Sequence, residues 1–216
     1  MTYSGVFITL EGPEGSGKTS HMNPLSNWLK EQGRNVLCTR EPGGTSISEQ
    51  IRTVIHDLKN KEMHPHTETL LYQAARAQIV EQLIKPELQK GVIVICDRFA
   101  DSTLAYQGYG HQQDLDQVRS LIHYATSGLK PDLTILLDLD VEIGLKRSNQ
   151  RRSNGGEWNR LDAYNLEFHQ RVRKGYLELV LKEPDRWIMV DASLPWKEVQ
   201  ASLRKVISGY LNDMGR

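Results

Sequence analysis

The sequence predicts an α/β fold, a five-stranded parallel sheet covered by helices on both faces, built as one domain over residues 1–216. Three observations carry that expectation. Short β-type runs recur along the chain, each followed by a helical pattern, the order that produces crossover helices and a parallel sheet. One of these runs, Val92-Ile93-Val94-Ile95-Cys96, is apolar at every position, as a strand buried on both faces must be. Lastly, the first run leads into Gly12-Pro13-Glu14-Gly15-Ser16-Gly17-Lys18-Thr19, two glycines bracketing four residues and then Lys-Thr, which is the P-loop spacing.

Taken in order, Val6–Leu10 is the first strand, and the glycine-rich loop opens into a helix through about Gln32. Pro24 falls in that helix and removes a backbone donor. Asn35–Thr39 is the second strand, and Arg40-Glu41-Pro42-Gly43-Gly44-Thr45 is turn chemistry. Ser46-Ile47-Ser48-Glu49 has capping-box spacing and starts a helix through about Leu58. Residues 59–66 are polar and contain Pro65, so a loop is expected there. From Thr67 to about Gln89 the apolar positions repeat at helical spacing, with Pro86 placed to kink the last turns.

After the third strand at 92–96, a helix is expected over 114–127 with Gly128 as its left-handed cap. Leu133–Leu139 is the fourth strand, followed by a helix to about Asn149 and a loop at 150–160 dense in Arg, Asn and Gly. A long amphipathic helix over 161–183, a fifth strand at 187–190 and a closing helix over 194–211, capped by Ser193, complete the pattern.

Composition narrows the function classes. With 27 basic against 27 acidic side chains the formal charge is zero, so there is no basic field to hold polymeric nucleic acid. Cys38 and Cys96 sit in separate apolar runs without metal or redox spacing, and read as buried reduced thiols. The N-terminus carries no basic-then-apolar leader, and no run approaches the ~18 apolar residues of a membrane span. A cytoplasmic protein is the expectation. His64-Pro65-His66 has no further ligand at metal spacing.

The chemistry starts at the P-loop. Glycines let successive N–H groups point into one concavity, and the following helix adds its positive end. That puts Lys18 in reach of the β- and γ-phosphates of a nucleotide, and the Thr19 hydroxyl on Mg²⁺. Ligands of parallel sheets bind outside the carboxyl ends of the strands, where Glu41 and Asp97-Arg98 also stand. Asp97-Arg98 reads either as a structural ion pair or as a Mg²⁺ ligand beside a phosphate fork. Glu14 repels phosphate unless it faces the metal or the acceptor molecule. Arg147, Arg151, Arg152 and Arg160 flank the 150–160 loop. They are either a solvated face or the charges of a lid that closes over a transferring phosphoryl group.

At this point the chain resembles thymidylate kinases of the bacterial kind, over nearly its whole length. Thr39-Arg40-Glu41-Pro42-Gly43-Gly44-Thr45, then Asp97-Arg98-Phe99, Asp101-Ser102-Thr103 and Ala105-Tyr106-Gln107-Gly108 are similar to that family's motifs in order and spacing. The resemblance implies a P-loop kinase fold, a homodimer, and transfer of phosphate from ATP, with Mg²⁺, to dTMP. Carried over by position, Tyr72 corresponds to the aromatic that stacks on thymine and Arg76 to the arginine on the base edge. Thr103 and Gln107 correspond to positions near the base, and Tyr106 to the tyrosine crowding the 2′ position. Arg52 and Arg98 match arginines on the 5′-phosphate, Glu41-Pro42 the turn beneath it, and Glu14 the acid facing the acceptor.

Gly15-Ser16 stands where the other branch of the family carries a P-loop arginine, so the resemblance implies that the catalytic arginine comes from the lid. Arg151, Arg152 and Arg160 are the candidates, with Arg160 favoured by its Arg-Leu-Asp context. Phe99 replaces the usual Tyr or His, Tyr72 the commoner Phe, and Ala75 the Asp of many members. A phosphate nucleophile is already ionised at neutral pH, so positioning and charge neutralisation suffice. A kinase for another small acceptor, or a nucleotide switch, are the rival readings. Asn60-Lys61-Glu62-Met63 lacks the Asp that a guanine-reading switch needs.

Overall fold

A computed structural model describes residues 3–156 and 159–215; residues 157 and 158 of the expected lid lie outside them. Five parallel strands form one sheet: β1 (Val6–Glu11), β2 (Val36–Arg40), β3 (Ile93–Asp97), β4 (Leu133–Asp138) and β5 (Trp187–Asp191), in the order β2-β3-β1-β4-β5. Alternation along the strands feeds two cores. Val6, Ile8 and Leu10 with Ile93, Ile95, Ile135 and Leu137 face one side, where α1 (Lys18–Glu31) and α9 (Trp196–Asp213) cover them. Phe7, Val94 and Cys96 face the other side, under α3 (Pro65–Ile79) and its continuation. Cys38 and Cys96 therefore belong to opposite faces, and Cys38 is half-buried rather than buried as expected.

Several boundaries differ from the sequence expectation, each for a local reason. The cap of α2 (Ser46–His56) is Thr45, one residue earlier than the Ser46 box, with its hydroxyl accepting from the Ser48 N–H. Glu49 is drawn instead to the Gly44 N–H and Arg40. Pro65 does not interrupt a loop; it occupies the first turn of α3, where its missing N–H costs nothing, and His64 caps it. Before Pro86, residues Val80–Ile84 widen into a π-turn that leads to α4 (Lys85–Gln89). The kink expected at Pro86 is absorbed there.

An element missed by periodicity follows β3: α5 (Ala100–Thr103) and a π-helical stretch, Leu104–Gly110. Ten of these eleven positions are buried, so no polar face marks them as helix. At the end of α6 (Leu115–Thr126), Ser127 itself takes the left-handed conformation ahead of Gly128. α7 runs from Val141 to Ser153, so Arg151 and Arg152 lie on its last turn rather than in a loop. The helix expected from 161 begins later, as α8 (Leu166–Lys182), because Asn165 caps it after a 3₁₀ turn at Leu161–Ala163. Nor does Ser193 cap α9, whose N-cap is Pro195; the Ser193 N–H is taken by Asp191.

Candidate active site

Four segments meet at the carboxyl edge of the sheet: the loop after β1, the turn after β2, Asp97-Arg98 at the end of β3, and the middle and last turns of α7, which follows β4. They surround a cleft of about 580 Å³. Close backbone approach shapes its floor. A Cβ on Gly15, whose φ is +72°, would collide with the Gly144 carbonyl of α7, so the loop can pass there only as glycine.

At the P-loop end, Lys18 is buried and donates to Gly12 O at 2.9 Å, Pro13 O at 3.0 Å and Ser16 Oγ at 3.0 Å. Burial, and then the charge of Arg98, pull its ammonium down to about 8 against the pull of Glu14 and Asp97. Gly17, at φ +88°, begins α1, so the first-turn N–H groups face the cleft. Thr19 Oγ1 donates to Asp97 Oδ2 at 2.5 Å. The hydroxyl, from the first turn of α1, and the carboxylate, from the end of β3, are a hard-oxygen pair suited to Mg²⁺, which takes few protein ligands and fills its shell with water and phosphate. Arg147 lines the same end and donates to Ala192 O at 2.8 Å.

The other end of the cleft is organised by Arg98. Its φ of +69° is unusual for a residue with a side chain, and the guanidinium is held on every side. Nη1 donates to Gly12 O, Ser102 Oγ and Tyr176 OH, and Nη2 to Glu14 Oε1 and Tyr106 OH. Strain of this kind persists where surrounding bonds over-determine the conformation. Burial works to raise the Glu14 carboxyl, but the charges of Arg98 and Lys18 and the Tyr106 hydroxyl hold it down at about 2. The acid in the P-loop thus points at Arg98 and Tyr106.

Arg52 lines the cleft and donates to Pro42 O at 2.9 Å. Glu41, carried over as part of the turn under a phosphate, aims its carboxylate elsewhere: Oε2 accepts from Arg76 Nε at 2.7 Å in a fully buried pair. Burial pushes the Glu41 carboxyl up to about 7, the Arg76 charge opposing it. Arg76 also donates to Gln73 Oε1, Thr103 Oγ1 and Phe99 O, so four of its five N–H groups are committed while it lines the cleft. Tyr72, Thr103, Tyr106 and Gln107 stand around the same chamber.

The lid arginines separate. Arg151 lines the cleft, with Nη2 3.1 Å from Ser148 Oγ and 3.6 Å from Asp162. Arg152, on the next position of α7, is exposed and not part of the lining. Arg160, the favoured candidate from sequence, is not brought to the cleft. It is buried, with Nε on Ile55 O, Nη1 on Tyr164 OH at 2.7 Å and Nη2 in a short ion pair with Glu68. A charge buried at that position must be paired, and Glu68 is the only carboxylate its ion pair reaches among the described residues.

Sequence reading missed three supporting groups. Glu11, fully buried at the end of β1, accepts from Phe99 N–H at 2.8 Å, Ser102 OH at 2.6 Å and Tyr176 OH at 2.9 Å, and so shapes the chain beside Arg98. Glu68 bonds Gln107 and Arg160, and Asp162 bonds Ser148 and the Asn159 N–H. Glu11 alone had a sequence signal, a carboxylate closing an apolar strand.

Comparison with known proteins gives one consistent answer. The profile of the family described as thymidylate kinase matches residues 10–203. Among curated relatives, the thymidylate kinase of Geotalea daltonii is 49% identical over 211 residues, covering 96% of this chain and 99% of its own. That of Roseiflexus sp. (strain RS-1) is 45% identical over 219 residues, covering 98% and 97%. The crystal structure of thymidylate kinase from Ehrlichia chaffeensis superposes with a TM-score of 0.76 at 32% identity, over 94% of this chain and 98% of that one.

Proposed function

The chain belongs to the thymidylate kinase family, and from that premise we propose that it is a dTMP kinase, one nucleoside monophosphate kinase domain transferring the γ-phosphoryl group of ATP to dTMP to yield dTDP and ADP. The observation that carries the reading is the division of one cleft into two differently equipped halves. Lys18, the α1 N-terminus and the Thr19–Asp97 pair serve a triphosphate, while Arg98, Arg52 and the Tyr72–Arg76–Gln107 chamber serve a nucleoside monophosphate.

In this mechanism Lys18 leaves its contacts on the loop carbonyls and pairs with the ATP phosphates. Thr19 and Asp97 would hold Mg²⁺, which when bound neutralises phosphate charge. Arg98 and Arg52 orient the dTMP phosphate as nucleophile, and Glu14 keeps Arg98 aimed. No base is required, because the attacking oxygen is already ionised. Arg151, rather than Arg152 or Arg160, supplies the lid charge to the transferring group, supported by its place in the lining at the end of α7. Tyr72 stacks on thymine, worth ~1–3 kcal/mol, and Tyr106 crowds the 2′ position.

A homodimer is part of the same reading. Its support is an exposed apolar stripe, Ile47, Val54 and Leu58 from α2 and the loop after it, and Leu70 on the adjoining α3; sedimentation equilibrium at micromolar concentration should return twice the chain mass. Cys38 and Cys96, on opposite faces of the sheet, cannot bridge to each other, which suits a reducing cytoplasm. No helix among the described residues is long and apolar enough to cross a membrane.

The function is tested by incubating the protein with Mg-ATP and a panel of nucleoside monophosphates while following ADP release. dTMP should have the highest kcat/KM, with dUMP behind it by the modest factor one methyl allows, ~10–200-fold. AMP, CMP or GMP as best acceptor would overturn the assignment.

A further inference from the structure

Gln107 lines the acceptor chamber, and its side-chain amide is tied from behind. Nε2 lies 2.7 Å from Glu68 Oε1, and Glu68 is fully buried and not itself part of the cleft lining. An ionised carboxylate can only accept hydrogen bonds, so the amide must turn its NH₂ toward Glu68. Its carbonyl oxygen is then the atom left for the cleft, and no described residue donates to it. Glu68 is ionised for clear reasons. Burial opposes the charge, but the His111 hydrogen bond, the Arg160 charge and the Gln107 amide hold its carboxyl down at about 2.

We propose that Glu68 is a positioning residue which, by fixing the polarity of the Gln107 amide, makes the acceptor chamber select a base with an N–H at ring position 3; this rests on the cleft being the dTMP site. A carbonyl from Gln107 accepts from N3–H, and the one uncommitted N–H of Arg76 donates to the neighbouring ring carbonyl. Together they complement the imide edge that thymine and uracil share. Cytosine, with an acceptor at position 3 and an amino group beside it, mismatches at both points.

Arg160 makes the device robust and also makes it testable. Its Nη2 and the Tyr164 hydroxyl occupy Glu68 Oε2, while Gln107 and His111 Nε2 share Oε1. In Glu68→Gln the new amide must keep its oxygen toward Arg160, since a guanidinium only donates. Its NH₂ then faces Gln107, which has to turn over and present its own NH₂ to the cleft. His111 adapts by changing tautomer. The substitution therefore inverts the reading of position 3 without touching a cleft residue.

Steady-state kinetics of wild type and Glu68→Gln with dTMP, dUMP and dCMP test this. In the variant kcat/KM for dTMP and dUMP should fall together, each by at least about tenfold for one lost or opposed buried hydrogen bond. The preference for dTMP over dCMP should shrink by more, while the dTMP-to-dUMP ratio holds, because the methyl pocket is unchanged. A folded variant keeping the wild-type dTMP-to-dCMP ratio within about threefold, well under the effect of one such bond, overturns the inference alone. A wild type that prefers another base overturns the substrate assignment and this inference with it.

Should Glu68→Gln fold poorly, the wild-type crystal structure with dTMP decides instead. The Gln107 amide atom remote from Glu68 should lie within about 3.2 Å of thymine N3. A base whose N3 is beyond reach of that atom, or an amide that has left Glu68, overturns it.

Discussion

Arg98 Nη2 donates to Glu14 Oε1 at 2.7 Å, and Tyr106 OH joins the same oxygen at 2.8 Å. This contact fastens the P-loop to the end of β3, so the Lys18 end of the cleft is braced by the end that carries Arg98. A planar fork with several fixed donors is what the geometry uses, and an ammonium cannot reproduce it. Arg98→Lys should lower kcat/KM for dTMP by at least ~10²-fold, roughly 3 kcal/mol. ATP affinity, measured by calorimetry, should change less than about threefold, under 1 kcal/mol. A similar loss of both affinities would show that Arg98 only supports the fold.

The lid arginines should separate by observable. Contacts made on closure stabilise the transition state more than bound ATP, so Arg151→Ala should lose kcat, by up to ~10³–10⁵-fold, with KM for ATP nearly kept. Arg160→Ala strips Glu68 of its buried partner, a change that costs ~3–5 kcal/mol in stability and should show in Tm first. Equal, small effects on kcat in both variants would remove the lid mechanism.

Tyr106 has two separable functions. Its ring crowds the chamber, while its hydroxyl ties to Glu14 and Arg98. Tyr106→Phe should retain the preference for deoxyribose over ribose but lose about tenfold in kcat, the worth of one charge-assisted bond. Tyr106→Ala should lose the sugar preference as well. If Ala discriminates as well as wild type, the ring does not face the sugar.

Stability should carry a pH signature from Glu11. Burial, then the nearby Asp101 charge, raise this carboxyl from 4.5 to about 7 in the folded chain, against the Ser102 hydroxyl, the Arg98 charge and the Phe99 N–H. The folded state therefore binds more protons than the unfolded one between those values. Its contribution is fully present below 4.5 and is lost as pH rises through about 7. Urea unfolding followed from pH 5 to 8 should show this downward slope, to which Glu41, raised to about 7 as well, contributes equally; Glu11→Gln should therefore reduce the slope by roughly half. An unchanged slope in the variant would assign the dependence to another group.

Much of this site was legible before any coordinates. The P-loop, the strand ends at Arg40 and Asp97, and the pair Tyr72 and Arg76 carry their chemistry in residue type and spacing, and each lines the cleft. The α5 and π-helical stretch was not legible, because a segment buried on nearly all sides has no polar face to give it a period. Capping was read a residue late, at Ser46 rather than Thr45, because both carry a hydroxyl and only the backbone dihedrals chose between them.

What the sequence determined by itself is the set of local instructions: which runs are strands, that crossovers between them are helical, and that a glycine-rich loop and basic side chains stand at their carboxyl ends. Those follow from periodicity, glycine and side-chain chemistry within a few residues. Only the tertiary structure decided how charges are shared. Arg151 and Arg160 look alike in sequence, yet one lines the cleft and the other is held by Glu68, a residue 92 positions away. Glu41 likewise leaves the phosphate turn for Arg76, 35 positions on. A buried charge must find an opposite charge wherever the fold places one, and a pairing across such distances is written in the packing of elements, not in the spacing of neighbours.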